Sequence, residues 1–197
     1  EYWQYGHNGP VKNQLAALPA LHIKYKCSGG RHLRFSYKQG IVRPHIFQLN
    51  PNEQALDFYT TQKGNPGLRP EREHILNLGY SRAYGNSFIK TSLFYRHIRN
   101  HIEPLAELHN GMFIKKEAHN LGDIQHAGLN TSGSLKLHEK LSLSPHLKLY
   151  YAQTQGNSLA RAHHIANKQA INFESALSAV FMPKPDWVFS ASLQYNS

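Results

Sequence analysis

Fourteen histidines, one cysteine, and scattered serines and carboxylates are the groups in this 197-residue chain with chemistry to offer. Their spacing argues against most of that chemistry. His163 and His164 are adjacent, so on a strand they point to opposite faces and cannot share a ligand. His97 and His101 have helical ligand spacing, yet the residues around them place them on a strand or at its end. No Cys/His cluster of the zinc type is present. Ser132-Gly133-Ser134 lacks the strand-turn-helix context of an activated serine, and Asp57, Asp123 and Asp186 are too scattered to pair. Gly29-Gly30 precedes a strand instead of a helix, so it is not a phosphate loop. The single Cys27 leaves no internal disulfide. These residues call for no cofactor and no metal, and they do not make an enzyme.

The elements that would position any of these groups repeat with period two. Leu33, Phe35 and Tyr37 alternate with Arg34, Ser36 and Lys38, and Leu76, Leu78 and Tyr80 alternate with Asn77 and Gly79. Leu129 to Leu137, Leu141 to Tyr151 and Trp187 to Tyr195 continue the pattern. One apolar and one polar face recur, which predicts an all-β, antiparallel up-and-down meander of about eight strands. The expected strands are 20–27, 31–39, 73–82, 88–103, 113–137, 141–153, 165–182 and 187–197. Asn157 to Ala170 lacks clean alternation and reads as a mobile loop running into a strand.

The connections segregate by length. Short turns are expected at Ser28-Gly29-Gly30, Ala83 to Ser87, His138-Glu139-Lys140 and Pro183 to Asp186. Long polar connections are expected at Gly40 to Arg72, Pro104 to Met112 and Thr154 to His164, with Glu1 to Ala17 as the tail of another. Short turns at one end and long loops at the other are the layout of an outer-membrane barrel. From the residues alone, a soluble β-sheet binding module for an anionic ligand is the alternative, because soluble sheets share the alternation. Twenty-two Lys and Arg against 12 Asp and Glu give a formal charge of +10, but the basic residues are spread over every strand instead of forming a patch for nucleic acid.

The segment Gly64-Asn65-Pro66-Gly67-Leu68-Arg69-Pro70-Glu71, leading into the strand Ile75 to Tyr80, resembles an extracellular-loop signature of the TonB-dependent receptors. Ala17 to Tyr25, Arg31 to Tyr37, Arg43-Pro44 through Asn50-Pro51, Ser92 to Arg96 and Asn120-Leu121-Gly122 are similar to that family in its own order. The pattern is nearest to the outer membrane protein β-barrels of Bacteroidetes-type bacteria. The resemblance implies residues 1–197 as a partial transmembrane β-barrel with no plug domain, cut at both ends. It implies the outer membrane of a Gram-negative bacterium, and uptake of a siderophore, haem, glycan or peptide. It implies lipid and lipopolysaccharide as neighbours, and contact with the TonB complex through other parts of the parent protein.

The same resemblance points to the long loop Gly40 to Arg72 for ligand contact, because rigid strands position mobile tips. Arg43, His45, Tyr59, Lys63 and Arg69 are the polar and aromatic groups available there. His45 also matches the kind of loop histidine that some haem-transporting members use. Tyr25, Tyr37, Tyr80, Tyr84, Trp187 and Tyr195 are expected near strand ends, where an aromatic girdle belongs.

Overall fold

The computed structural model describes residues 16–165, 167–184 and 186–197. Most of the expected opening connection, residues 1–15, lies outside the described residues, as does Pro185 in the last turn. Eight strands form one antiparallel meander: β1 (Ala20–Cys27), β2 (Arg31–Val42), β5 (Glu71–Tyr84), β6 (Ser87–His109), β7 (Phe113–His138), β8 (Leu141–Gly156), β9 (Lys168–Lys184) and β10 (Trp187–Asn196). Two short strands, β3 (Gln54–Ala55) and β4 (Thr60–Lys63), lie in the β2–β5 connection together with the helix α1 (Ile46–Leu49). A second short helix, α2 (Ser158–Ala162), follows β8.

Register explains the alternation. Ile23, Phe35, Leu78, Leu93, Leu129, Leu149 and Phe173 lie opposite one another across seven strands. Tyr25, Leu33, Tyr80, Leu147 and Tyr195 share a neighbouring row. These side chains stay open on one face, with Leu78 48% and Leu93 55% exposed. A continuous apolar face of this size would drive aggregation in water, but it suits a sheet solvated by lipid. The other face carries Lys24, Arg34, Gly79, Ser92, Asn130, Lys148 and Glu174 in one row. On that face Lys148 Nζ donates to Glu174 at 2.8 Å and lies 4.4 Å from the centre of the Tyr150 ring. Arg96 pairs with Glu73 nearby.

The buried apolar residues among those described are Leu68, Ile98, Leu105, Ala118, Leu121 and Ala160. All of them lie at the loop end of the sheet. The wall therefore has almost no core of its own, whereas the loop end does.

Three expectations change. Pro104 to Met112 is not a long connection: β6 runs on to His109 and meets β7 through a tight turn at Asn110 and Gly111, whose φ angles are +53° and +71°. Asn157 to Ala170 is not a plain loop, since Asn157 caps α2 by accepting the Ala160 N–H at 3.0 Å. The strand expected from 165 begins at Lys168, because Ile165 N–H bonds back to the Ala160 carbonyl at 2.9 Å and closes the helix.

Candidate functional site

The loop end is built on the strands that outrun the wall. Past the Arg72–Arg99 pair, β5 ends and β6 and β7 continue as a two-stranded ribbon. Asn100, at φ +57°, and Gly122, at φ +146°, mark the irregular register where wall becomes ribbon. A Cβ at Gly122 would run into the carbonyl oxygen of Gln155, so the position admits only glycine. Glu71 fixes the same junction by accepting from His101 Nδ1 at 2.9 Å and from the Ile102 N–H at 2.7 Å.

The β2–β5 connection folds onto this ribbon. β4 pairs in parallel with β7, Thr60 opposite Ile114 and Lys63 opposite Glu117, on the edge that β8 leaves open above Gly156. The Gly64-Asn65-Pro66-Gly67 turn is anchored at both sides. Gly64 N–H donates to the Asn50 carbonyl at 2.8 Å and Asn65 N–H to the Gln48 carbonyl at 2.6 Å. The Asn65 side chain accepts the Gly67 N–H at 2.8 Å and lies 3.3 Å from His119 Nδ1. Asn120 acts as the latch. Its Oδ1 accepts the Arg69 N–H at 2.8 Å, while its Nδ2 donates to the carbonyls of Arg69 at 2.9 Å and Asn100 at 2.7 Å. The Asn120 carbonyl in turn accepts from Asn157 Nδ2 at 2.6 Å, which ties α2 to the same point.

The five loop residues expected from the sequence are strung along this platform. Arg43 is exposed just after β2. His45 precedes α1, and its backbone N–H donates to Gln48 Oε1 at 2.8 Å. Tyr59 sits at the far end, 60% exposed, with its ring 6.4 Å from that of Phe113 and its carbonyl accepting the Ile114 N–H at 2.7 Å. Lys63 ends β4, and Arg69 is held through its backbone with its side chain exposed. Among the described residues, no hydrogen bond or ion pair joins two of these five. Sequence reading placed Glu71, Asn120 and Gly122 only within the family resemblance and gave no structural role to them or to Asn100 and Asn157; the available signal for the last four was asparagine and glycine clustered near the ends of the alternating stretches.

Electrostatics hold the hairpin end of the platform. Glu53 accepts from the Thr61 hydroxyl at 2.7 Å and faces Lys115 at 3.9 Å, and these contacts hold its carboxyl below the ordinary range. The Tyr59 N–H, donating at 2.8 Å, and then the Thr60 hydroxyl do the same for Asp57. A carboxylate whose pKa is lowered by folding adds stability above its unfolded pKa and loses it as pH falls through the folded value. The β3–β4 hairpin is therefore expected to stay docked at neutral pH and to loosen below about pH 4. Amide exchange at Thr60–Lys63 across that range checks this. The Glu53→Gln/Asp57→Asn variant should show lower protection there at pH 7, measured against the intrinsic exchange rate at each pH, and no further loss of protection on acidification.

On the polar face of the wall, His32, Arg34, Asn77, Lys90, Ser92 and Asn130 line a depression of about 340 Å³. Among the described residues, no group of three or more His, Cys, Asp or Glu is arranged to hold a metal ion.

Residues 6–197 match the Outer membrane protein beta-barrel family. None of the curated proteins compared with this chain is a significant match. Among solved structures, the siderophore receptor PirA from Pseudomonas aeruginosa superposes with a TM-score of 0.59 at 14% identity, over 90% of this chain and 38% of that one. The ferric enterobactin receptor PfeA from Pseudomonas aeruginosa, solved with enterobactin, superposes with a TM-score of 0.54 at 14% identity, over 90% of this chain and 34% of that one. The chain thus spans a little over a third of these receptors, and at such identity the likeness is one of fold. With its open apolar face, polar inner face and loops gathered at one end, this chain belongs to the outer membrane protein β-barrel family.

Proposed function

We propose that this chain forms part of the barrel wall and extracellular loops of a TonB-dependent outer-membrane receptor for nutrient uptake. The observation that carries the reading is a packed loop platform raised on strands that outrun a barrel wall with a polar inner face. A wall that only sealed the membrane would gain nothing from such a platform, whereas a receptor needs a rigid base for ligand-facing side chains. β1 and β10 each leave one edge unpaired among the described residues, and in lipid such edges require further strands. Energy coupling through the TonB complex would then belong to other parts of the receptor. The exposed apolar rows disfavour a soluble binding module.

Siderophores, named for PirA, with ferric enterobactin, named for PfeA, are the first cargo class to test, ahead of haem, glycans and peptides. Deleting the gene for the full-length protein is expected to abolish uptake of one labelled compound from a panel of these four classes. Unchanged uptake of all four would overturn the reading. Within the platform, Arg43, His45, Tyr59, Lys63 and Arg69 are the proposed ligand contacts. The His45→Ala/Tyr59→Ala variant should lower apparent affinity about tenfold, the scale of one binding hot spot. Normal uptake at normal surface abundance would remove this loop from the binding site.

A further inference from the structure

On β2, β5 and β6 the outward face carries its charge in one pattern. On β2 the outward residues are Arg31, Leu33, Phe35, Tyr37, Gln39 and Ile41, and those of β5 run from Arg72 to Tyr84 in steps of two. On β6 they run from Ile89 to Arg99. Across these three strands, every outward residue with a permanent charge is one of four arginines. They stand in two directly opposed pairs: Arg72 faces Arg99 across β5 and β6, and Arg31 faces Arg82 across β2 and β5.

Like charges placed directly opposite on neighbouring strands destabilise a sheet. Such pairs need an anion. Asp123, 4.0 Å from Arg99, is the single carboxylate within ion-pair reach of any of the four among the described residues. Arg31, Arg72 and Arg82 are exposed and make no ion pair among the described residues.

The spacing of the pairs identifies the anion. Arg72 and Arg82 lie on one strand, ten residues apart, with His74, which pairs with the Tyr37 hydroxyl, and then Leu76, Leu78 and Tyr80 between them on the same face. At about 3.4 Å per residue and a tilt of about 40°, ten residues rise roughly 26 Å along the membrane normal. The outward apolar band of an outer-membrane barrel is about 25 Å tall. Each arginine pair therefore stands where the hydrocarbon ends and the headgroups begin. Guanidinium groups bind phosphate through two parallel N–H donors, a geometry that lysine cannot offer.

We propose that the Arg72–Arg99 and Arg31–Arg82 pairs clamp phosphate headgroups of lipids at the two surfaces of the membrane, the first pair on the loop side and the second on the turn side. The pairs would fix the height of this wall in the bilayer. The inference rests on the barrel's place in the membrane and not on any transported compound, so it stands or falls apart from the uptake reading.

The test uses the detergent-solubilised full-length protein and native mass spectrometry. The probes are phosphatidylglycerol and a neutral diglyceride with the same acyl chains. The unmodified protein should retain phosphatidylglycerol in preference to the diglyceride, and the preference should weaken as salt rises. Arg72→Gln/Arg99→Gln and Arg31→Gln/Arg82→Gln should each lower phosphatidylglycerol retention by roughly fivefold per arginine replaced, the factor a basic residue contributes at an anionic membrane surface. Lysine at the same positions should restore part of the loss, and Lys24→Gln on the inner face should leave retention unchanged. Equal retention of the two probes by the unmodified protein would overturn the proposal, whether the cause is a purely intramolecular role through Asp123 or a protein partner covering this face. Full retention by the glutamine variants would overturn it as well. If a double variant fails to assemble, the probe preference and salt response of the unmodified protein, with Arg72→Gln alone, decide the matter.

Discussion

Replacing Leu78 with arginine is expected to cost the assembled barrel about 2–4 kcal/mol, the penalty for a cation on the lipid face at the bilayer midplane. Leu78 sits near the middle of the span between Arg72 and Arg82, in the row with Phe35 and Leu93. The matched substitution one residue earlier, Asn77→Arg, turns the same side chain toward the wet inner face, where its charge is hydrated and screened. It should assemble at close to the unmodified level. Urea unfolding of the full-length protein in vesicles, followed by heat-modifiable mobility on gels, checks both variants. Similar losses from the two would mean that the apolar rows do not face lipid.

The second large effect is expected at Asn120, whose side chain makes three hydrogen bonds to the Arg69 and Asn100 backbones. At about 1 kcal/mol net for each bond, Asn120→Ala should weaken docking of the loop platform by roughly 3 kcal/mol. That corresponds to a rise of about a hundredfold in the population of undocked loop. Faster amide exchange at Thr60–Lys63 and new protease cleavage within 43–70 would report it, while the wall should unfold as before. Asn120→Asp keeps the acceptor for the Arg69 N–H but loses both donated bonds, so it should fall between. Unaltered exchange in Asn120→Ala would mean that the β4–β7 pairing alone holds the loop.

The wall was legible because lipid enforces a rule on it. Leu33, Phe35 and Tyr37 must all point one way, and a strand that obeys this for ten residues writes period two into its sequence. Above the membrane the rule lapses. Pro104 and Glu107 read as a polar loop, yet they continue β6, because no lipid-facing side imposes alternation on the ribbon, where Leu105 is the one buried residue of β6. Pro104 is tolerated there since β5 has ended and β6 has become an edge, where a missing N–H costs no ladder bond. The Gly64 to Glu71 signature revealed a shaped turn but not its seat. The β4–β7 pairing joins residues more than fifty positions apart, and no local pattern encodes it. Of the five proposed contact residues, the sequence located the loop, while their spread from Tyr59 at the tip to Arg69 at the base follows from that distant pairing. Helix α2 was missed because five residues are too few to show a helical period.

The ribbon formed by β6 and β7 projects about nine residues beyond Asn100, roughly 30 Å along the strand. A bare two-stranded hairpin of that length would sway. Here β4 is laid along the free edge of β7, and its chain returns through Gly64 and Arg69 to become β5. The arrangement is a braced cantilever. A lateral load at Asn110 cannot bend the ribbon without either stripping β4 from β7 or pulling on the top of β5. A load on the tip is therefore shared by three adjacent strands, β5, β6 and β7, and passes into the wall beneath.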